Sequence, residues 1–431
     1  MDLQLDEQQL GKQLFGTVAE LYPICRSITG DGVRETLSRL GGIAPLTIHE
    51  VPSGTEVFDW TVPDEWHIRD AWVKDMRGRR VIDFQRSNLH VVNYSEPVNR
   101  RMSLAELRPH LFTLPERPDW IPYRTSYYQK NWGFCLSQNQ LDALPAGEYE
   151  VCIDSSIEPG YLSYGEACIP GESIEEVLVS CHICHPSLAN DNLSGIAIAA
   201  HLARQLRSLP LRYSYRFLFI PATIGSITWL ARNETVVPRI RHVLVLACLG
   251  DAGPLTYKRS RRGDSTIDRA AMHILRQQGE HEVFEFSPYG YDERQFCSPG
   301  FNLPAGRLSR TPHGRFPEYH TSADNLDFVQ PAQLARSLVT CLQIFQVLEN
   351  DRTYLNQKPF GEPHLSKYGL YDSIGGIAES PAFQLALLWV LNLSDGGCSL
   401  LDIAERSGVE FRMISRAADA LASHGLLREA P

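Results

Sequence analysis

Residues 180–195 concentrate side chains that bind metal ions. His182, His185 and Asp191 lie within ten consecutive residues. They follow the apolar run 177–180, which predicts a buried strand. Imidazole and carboxylate groups are the usual ligands of a catalytic zinc ion. Active sites of α/β proteins lie where a strand ends and a loop begins. The segment therefore predicts a metal-dependent hydrolase.

Two cysteines in the same segment allow other interpretations. Cys181 and Cys184, followed by His185, match the haem c attachment string, which requires export, and the acidic N-terminus predicts no export signal. The cysteines could also form a redox pair or half of a structural zinc site. A structural zinc site needs a second close Cys or His pair, which the sequence does not offer. We favour two buried structural cysteines.

Asp191 stands directly before a predicted helix over 193–208. The small residues Gly195, Ala197 and Ala199 would let that helix pack closely on a sheet. A carboxylate at a helix N-terminus is stabilised by the helix dipole. Asp191 could therefore cap the helix or bind a metal ion, and the sequence pattern alone leaves both roles open.

Further candidates for the site lie downstream. Asp251 follows a predicted strand over 242–247, Asp292 opens a charged cluster, and His320 lies in a polar loop. Each is weak evidence alone. Together with the first segment they place His, Asp, Asp and His in order on loops of one predicted sheet, which favours a metal centre.

Alternating strands and helices predict the fold class. Apolar runs separated by helical stretches are typical of an α/β protein with a mostly parallel sheet that is covered by helices on both faces. The predicted strands are 149–153, 176–180, 215–220 and 242–247, and the predicted helices are 193–208, 225–232 and 331–349.

Two other regions differ in pattern from this core. Residues 45–125 have short apolar stretches between turns and predict an inserted β-rich subdomain. Residues 376–431 predict a helix-turn-helix with a wing. The predicted core then comprises 1–44 and 126–370. Residues 372–431 carry four arginines against eight acidic side chains, a net charge of −4, which favours a packing or dimerisation module over DNA binding.

The composition excludes several classes of protein. The chain has 431 residues, 43% hydrophobic and 21% charged, with a formal net charge of −10. This balance supports a large core and disfavours nucleic acid or anionic membranes as partners. The absence of a signal-peptide pattern and of a long apolar run predicts a cytoplasmic protein. Ten cysteines at this length predict reduced thiols.

Three strings resemble a bacterial aminopeptidase-like family within the zinc aminopeptidase superfamily. They are residues 184–195 (CHPSLANDNLSG), 292–300 (DERQFCSPG) and 319–324 (YHTSAD). The resemblance covers essentially the whole chain. It implies an α/β zinc-peptidase fold, an inserted β-rich domain and a C-terminal winged helix.

The resemblance also implies a set of metal ligands. The superfamily commonly binds two zinc ions and uses two adjacent glutamates, of which the second is a metal ligand. Thr223 stands at the position of that second glutamate, so we expect one zinc ion, held by His185, Asp191 and His320. His182 and Asp251 then either orient a ligand from behind or act as alternative ligands.

Ala222 departs from the pattern of the family it resembles. That family has a glutamate there, the general base that takes a proton from the zinc-bound water. A methyl group cannot do so. We favour an engineered Glu→Ala replacement, because the ligand set is intact, and we therefore expect an aminopeptidase-like hydrolase with little activity. The alternative is a natural non-catalytic, zinc-containing protein that binds a peptide or an amino-acid conjugate.

The expected substrate is a short peptide or another amino-acid derivative. Acidic side chains could hold its α-ammonium group, and arginines could hold a carboxylate. The C-terminal domain could mediate a homo-oligomer. The candidate substrate-binding residues are Asp292, Glu293, Arg294, Glu318, Tyr319 and Arg124, and aromatic residues that could wall the cleft are Tyr123, Tyr127, Tyr128 and Trp132.

Overall fold

The computed structural model describes residues 6–370 and 381–430. It divides into two compact units, Met1–Asp268 with Gln278–Thr340, and Arg269–Gln277 with Cys341–Pro431. The strands, in chain order, are β1 (Thr47–Pro52), β2 (Glu56–Val57), β3 (Trp60–Thr61), β4 (Glu65–Asp75), β5 (Arg80–Asp83), β6 (Val98–Ser103), β7 (Leu111–Phe112), β8 (Phe134–Cys135), β9 (Glu148–Glu158), β10 (Tyr161–Ile169), β11 (Glu176–His182), β12 (Ser214–Ile220), β13 (Ile240–Leu246), β14 (Leu255–Lys258), β15 (His281–Phe284), β16 (Ala305–Ser309), β17 (Thr353–Asn356), β18 (Asp395–Ser399) and β19 (Leu427–Glu429).

Twelve α-helices lie in the described part of the chain. Within residues 6–370 and 381–430, none combines the length and hydropathy needed to cross a membrane. The α-helices are α1 (Glu7–Leu21), α2 (Asp31–Leu40), α3 (Leu104–Leu107), α4 (Gln138–Asp142), α5 (Gly195–Leu206), α6 (Ile224–Arg232), α7 (Thr266–Gln277), α8 (Glu293–Phe296), α9 (Pro331–Asn350), α10 (Pro381–Leu393), α11 (Leu400–Ser407) and α12 (Phe411–Ser423).

A mixed sheet forms the centre of the first unit. Among the described residues it has eight strands in the order β1-β10-β12-β11-β13-β16-β14-β15. The pairs β11–β12, β11–β13, β13–β16 and β14–β15 are parallel, and the other neighbours are antiparallel. Every residue of β11 is buried, as expected for a strand covered on both faces. The predicted α/β fold with a mostly parallel sheet is confirmed.

The parallel strands β11, β12 and β13 end at the same edge of the sheet. His182 is the last residue of β11, and Ala222 and Cys248 each lie two residues beyond the ends of β12 and β13. The segment after β11 returns into α5, which begins at Gly195. A Cβ atom at Gly195 would lie 2.8 Å from the Leu246 carbonyl oxygen, so only glycine permits this close packing of the helix on the sheet.

A smaller antiparallel sheet has the strand order β5-β4-β9-β6. The predicted strand 149–153 lies in β9 and therefore in this sheet, not in the large one. The reason is its long pairing with β4, which runs from Glu65↔Glu158 to Asp75↔Tyr149. Conversely, β1 pairs with β10 in the large sheet although it falls within 45–125. The limits 45 and 125 thus do not coincide with the edges of the small sheet, and the division into domains stays a prediction.

The second unit contains a helix-turn-helix. Ser399 caps α11 by accepting a hydrogen bond from the backbone N–H of Asp402, whose side chain accepts one in return from the N–H of Ser399. Gly408 ends the helix with a φ of 70°, a conformation that favours glycine. The β18-β17-β19 sheet supplies the wing strand β19. The predicted winged-helix fold is confirmed. Residues 376–380, at the start of the predicted domain, lie outside the described residues.

A buried histidine makes the stability of the first unit depend on pH. His242 in β13 is 7% exposed, and its Nδ1 atom has no hydrogen-bond partner among the described residues. Burial, assisted by Arg212 and Arg241, lowers the pKa of His242 to about 4. The unfolded chain therefore binds the proton first as the pH falls below about 6.5, and the stability contributed by the neutral ring is lost between about pH 6.5 and pH 4.

We predict that lowering the pH from about 7.5 to about 5 costs about 2 kcal/mol of unfolding free energy through His242 alone. The His242→Phe variant should lose this part of the pH dependence, because it has no group to titrate. Urea denaturation at both pH values measures the difference. The exposed His424→Gln variant is the control, and an unchanged pH dependence in His242→Phe would contradict the prediction.

Candidate metal centre

A buried carboxylate surrounded by three imidazoles lies at the strand edge described above. The Asp191 side chain is fully buried. His182 Nε2 lies 2.9 Å from Asp191 Oδ1, whereas His185 Nε2 and His320 Nε2 lie 3.5 and 3.0 Å from Oδ2. The donor atoms of His182, His185 and Asp191 all lie within 4.8 Å of one another. The structure thus brings together residues that are up to 138 positions apart, from His182 to His320.

The electrostatics of this cluster favour a cation. Burial alone would raise the pKa of Asp191, but His185, His182 and His320 outweigh it and hold the pKa of the carboxyl well below its usual range. Burial lowers the pKa of His185 well below its usual value, although the neighbouring Asp191 carboxylate opposes this effect. Among the described residues, no lysine or arginine pairs with Asp191. Imidazoles around an uncompensated carboxylate are a suitable donor set for zinc.

A second group of possible donors shows the contrast. Asp31, Glu65 and His67 also place ligand atoms within 4.8 Å of one another. There, however, Arg34 forms ion pairs with both carboxylates. The guanidinium already supplies the positive charge that a metal ion would bring, so this group is an ion-pair network rather than a metal site.

The loop that carries Asp191 is held by two further carboxyl groups. Asp324 accepts the backbone N–H groups of Asn190 and Asp191 at 2.6 and 3.0 Å. Asp251 accepts the Asn190 side-chain amide at 2.9 Å and the Thr311 hydroxyl at 2.6 Å. Asp251 therefore supports the loop. Within the described part of the chain, it forms no hydrogen bond with the Asp191 side chain. Burial raises the pKa of Asp324 to about 8.

Arg26 fixes the backbone of a neighbouring segment. It is 1% exposed, and its guanidinium donates to the carbonyl oxygens of His185, Pro186 and Leu21 at 2.7, 2.9 and 2.8 Å. Because Arg26 lies between α1 and α2, these bonds tie the N-terminal helices to the loop that presents His185. The planar guanidinium can serve three acceptors at once, which a lysine ammonium on a flexible stem would not match.

Aromatic side chains pack around the histidines. The backbone N–H of Tyr123 donates to the His320 carbonyl at 2.7 Å, and its ring lies 5.2 and 5.0 Å from those of His185 and His320. Tyr319 stacks on His320 at 4.0 Å. Trp132 instead stacks on His110, away from the centre. His320 itself has a φ of 56°, so a strained backbone presents its ring.

The centre opens into a cleft of about 290 Å³. Trp60 of β3 contributes to its wall, and with a relative exposure of 45% it remains accessible. Ala222 lines the same cleft and contributes only a methyl side chain. The cleft is lined by Ile28, Trp60, Tyr127, Tyr128, His182, His185, Ala222, Thr223, Ile224, Gly290, Tyr291, Arg294, Tyr319 and His320.

The candidate substrate residues fall into different places. Arg294 and Tyr319 line the cleft, and Arg124 lies in a neighbouring depression beside Tyr319 and His320. Glu318 lies in the loop before His320, where its carbonyl accepts a hydrogen bond from the Thr321 hydroxyl.

The two acids of the 292–294 cluster are buried behind the cleft wall. Asp292 accepts a hydrogen bond from the Ser226 hydroxyl at 2.9 Å, and burial raises its pKa to about 6. Glu293 pairs with Lys258 at 2.9 Å and lies 3.7 Å from Arg307. The positive charges of Lys258 and Arg307 thus already neutralise Glu293. Its role is therefore structural.

Three residues of the site were not found by sequence reasoning. Arg26 and Asp324 act through backbone groups, which no side-chain spacing reveals, although Asp324 lies inside the string 319–324. Cys248 has a φ of 53°, and its Sγ lies 3.8 Å from Asp191 Oδ1. Its place directly after a predicted buried strand was the available signal.

Comparisons with known proteins identify the family. The profile described as domain of unknown function (DUF4910) matches residues 15–351, and a winged helix-turn-helix profile matches residues 352–429. The chain belongs to the DUF4910 family. A Clostridium acetobutylicum relative, provisionally described as a polysaccharide biosynthesis protein with an aminopeptidase-like domain, is 53% identical over 424 residues and covers 98% of both chains.

Solved structures place this DUF4910 protein among the aminopeptidase-like folds. A C. acetobutylicum crystal structure, provisionally described as a peptidase, is 51% identical, with a TM-score of 0.95 over 99% of this chain and 98% of that chain. A zinc aminopeptidase from Bacillus subtilis has a TM-score of 0.57 at 13% identity, over 78% of this chain and 94% of that one. The resemblance to an aminopeptidase-like family is confirmed.

We predict that Arg26→Met destabilises the protein by about 3 kcal/mol, because buried carbonyl groups lose their donor. It should also weaken zinc binding by about 10–100-fold, because His185 loses its support. Denaturant unfolding and zinc titration measure the two effects. The matched control is Arg39→Met, which removes exposed pairs with Glu20 and Glu35 and should cost less than about 1 kcal/mol. Equal effects of the two variants would contradict the prediction.

Proposed function

We propose that this protein is a zinc-dependent, aminopeptidase-like hydrolase that acts on a peptide or amide bond in a small substrate. The observation that carries this proposal is the buried, ionised Asp191 carboxylate, which faces three imidazoles at the C-terminal edge of the parallel strands. That edge is where α/β folds place their active sites. The fold shared with a zinc aminopeptidase supports the same conclusion.

We propose one zinc ion, held by His185, Asp191 and His320. Both imidazole Nε2 atoms face Asp191 Oδ2 at 3.5 and 3.0 Å. Ligands of a tetrahedral zinc ion lie about 3.3 Å apart, since the zinc–nitrogen and zinc–oxygen bonds are each about 2.0–2.1 Å. When bound, zinc polarises a substrate carbonyl and makes a water molecule more acidic.

The chain's own residues would bind the substrate and orient it in the cleft. Tyr127, Tyr128 and Trp60 form an aromatic wall that removes water from the bound substrate. Arg294 and Arg124 could hold a substrate carboxylate, and Arg294 lines the cleft itself.

Ala222 provides no group to accept a proton, so this chain should turn substrate over slowly. An engineered Glu→Ala replacement at position 222 would account for an intact donor set beside a missing base. A chain that drifted naturally out of catalysis would be expected to lose ligands as well. The alternative function, zinc-containing binding of a peptide or amino-acid conjugate without hydrolysis, needs no base at this position.

The partners follow from the same reasoning. We propose a short peptide or amino-acid-derived substrate, no nucleic acid or membrane partner, and a cytoplasmic location. The acidic C-terminal winged helix is better suited to packing, or to forming a homo-oligomer, than to binding DNA, since DNA readers present basic surfaces.

Asp191→Asn should reduce the zinc content of the purified protein from about one ion per chain to almost none. The amide keeps the side-chain shape but removes the negative charge that attracts the cation. Elemental analysis measures zinc, and circular dichroism confirms folding. The control is Asp31→Asn, which alters the ion-pair network around Arg34 and should leave the zinc content unchanged. Protein purified without chelator that contains no zinc would contradict the proposal.

Ala222→Glu should raise hydrolysis by about 10²–10⁴-fold, because position 222 lines the cleft and a glutamate there would supply the missing general base. The assay uses a panel of short peptides and N-acyl amino acids. Ala222→Gln has the same size but cannot take the proton, so it is the matched control and should stay slow. If zinc-loaded Ala222→Glu hydrolyses nothing in the panel, the non-catalytic binding function is favoured instead.

A further inference from the structure

The two oxygens of the Asp191 carboxylate face two different sets of side chains. Oδ2 faces the Nε2 atoms of His185 and His320. Oδ1 faces His182 Nε2 at 2.9 Å and the Cys248 thiol at 3.8 Å. Distance alone would allow His182 to bind a metal ion as readily as His185, since both belong to the group of donors within 4.8 Å. The position of the ring protons separates their roles.

Asn192 determines where His182 carries its proton. The Asn192 amide donates to the Leu246 carbonyl at 2.9 Å and accepts from the Cys248 backbone N–H at 3.2 Å, so its orientation is defined by two backbone bonds. Its NH₂ group lies 3.3 Å from His182 Nδ1. Because an amide nitrogen can only donate, Nδ1 accepts, and the His182 ring carries a hydrogen on Nε2, facing Asp191.

His185 has the opposite arrangement. The Cys184 thiol donates its hydrogen to the Ala222 carbonyl, with Sγ and oxygen 3.7 Å apart. The same sulfur lies 3.5 Å from His185 Nδ1 and is left as an acceptor for an N–H there. His185 Nε2 therefore carries no hydrogen and keeps its lone pair. This atom lies 3.5 Å from Asp191 Oδ2. A lone pair on the atom nearest the carboxylate is what a metal ligand requires.

We propose that His182 is a positioning residue and not a metal ligand. It donates its Nε2–H to Asp191 Oδ1, which turns Oδ2 toward a single zinc ion held with His185 and His320. This inference rests on the proposed function and deepens it, because it assigns the two faces of one carboxylate to a hydrogen bond and to the metal. Asn192, through its fixed amide, keeps His182 in the tautomer that donates from Nε2.

The surroundings of His182 suit a fixed donor. Its side chain is 1% exposed, and the Tyr291 ring stacks on it at 5.1 Å with an interplanar angle of 18°. The Tyr291 hydroxyl lies 3.1 Å from Cys248 Sγ and so links the two groups that face Oδ1. The ring can therefore not turn to offer its other nitrogen without breaking this packing.

Zinc titration of three variants tests the assignment. Glutamine at position 182 can still donate an N–H near the place of Nε2, so His182→Gln should bind one zinc ion with affinity reduced by about tenfold or less. His182→Phe keeps the stacking but has no donor and should lose about 10–100-fold. His185→Gln removes a ligand and should bind almost no zinc. Loss of zinc in His182→Gln equal to that in His185→Gln, or two ions per wild-type chain, would overturn the proposal.

Nitrogen NMR of histidine-labelled protein gives a readout that is independent of activity. His182 should show an Nε2–H both before and after zinc is added, whereas the Nε2 signals of His185 and His320 should shift on loading. In Asn192→Asp, checked for folding, Nδ1 meets an acceptor and should carry the proton. A zinc-dependent shift of His182 Nε2, or an unchanged tautomer in Asn192→Asp, would refute the inference. Absence of any zinc binding would instead refute the proposed function, and the zinc-free spectrum would still report the tautomer.

Discussion

The ionised carboxylate of Asp191 is the constraint on which the rest of the site depends. A fully buried negative charge is costly unless hydrogen bonds and a positive charge surround it. Its neighbours supply the hydrogen bonds, through the His182 ring and through Asp324, which holds the backbone N–H of the same residue. They do not supply a fixed cation within the described residues. The surrounding fold is thus arranged around a negative charge that a divalent ion can neutralise.

The parallel part of the sheet explains why these groups meet. Strands β11, β12 and β13 run in the same direction, so the residues that follow them share one edge. His182, position 222 and Cys248 come from three successive strand ends. A substitution at one position of this edge, such as 222, can therefore leave the side chains on the neighbouring loops in place.

Elements far from the candidate metal-binding residues also shape the site. Arg26, between the first two helices, holds the backbone of His185, and Trp60 reaches the cleft from a short hairpin strand. The cleft wall therefore depends on parts of the chain that carry no metal donor. In the winged-helix unit, a capping box and a terminal glycine define the two ends of α11 from the local sequence alone.

The amino-acid sequence by itself determined the type of fold and identified the candidate metal-binding residues. The buried strands, the helix after Gly195 and the winged helix follow from local hydrophobic patterns and caps, which depend only on neighbouring residues. The string 184–195 and His320 led to the prediction of a zinc centre. Tertiary structure decided the rest, including the sheet to which β9 belongs and the support from Arg26 and Asp324. It also decided which nitrogen of His182 faces Asp191, because strand pairing, backbone acceptors and ring protons depend on contacts between residues far apart in the chain.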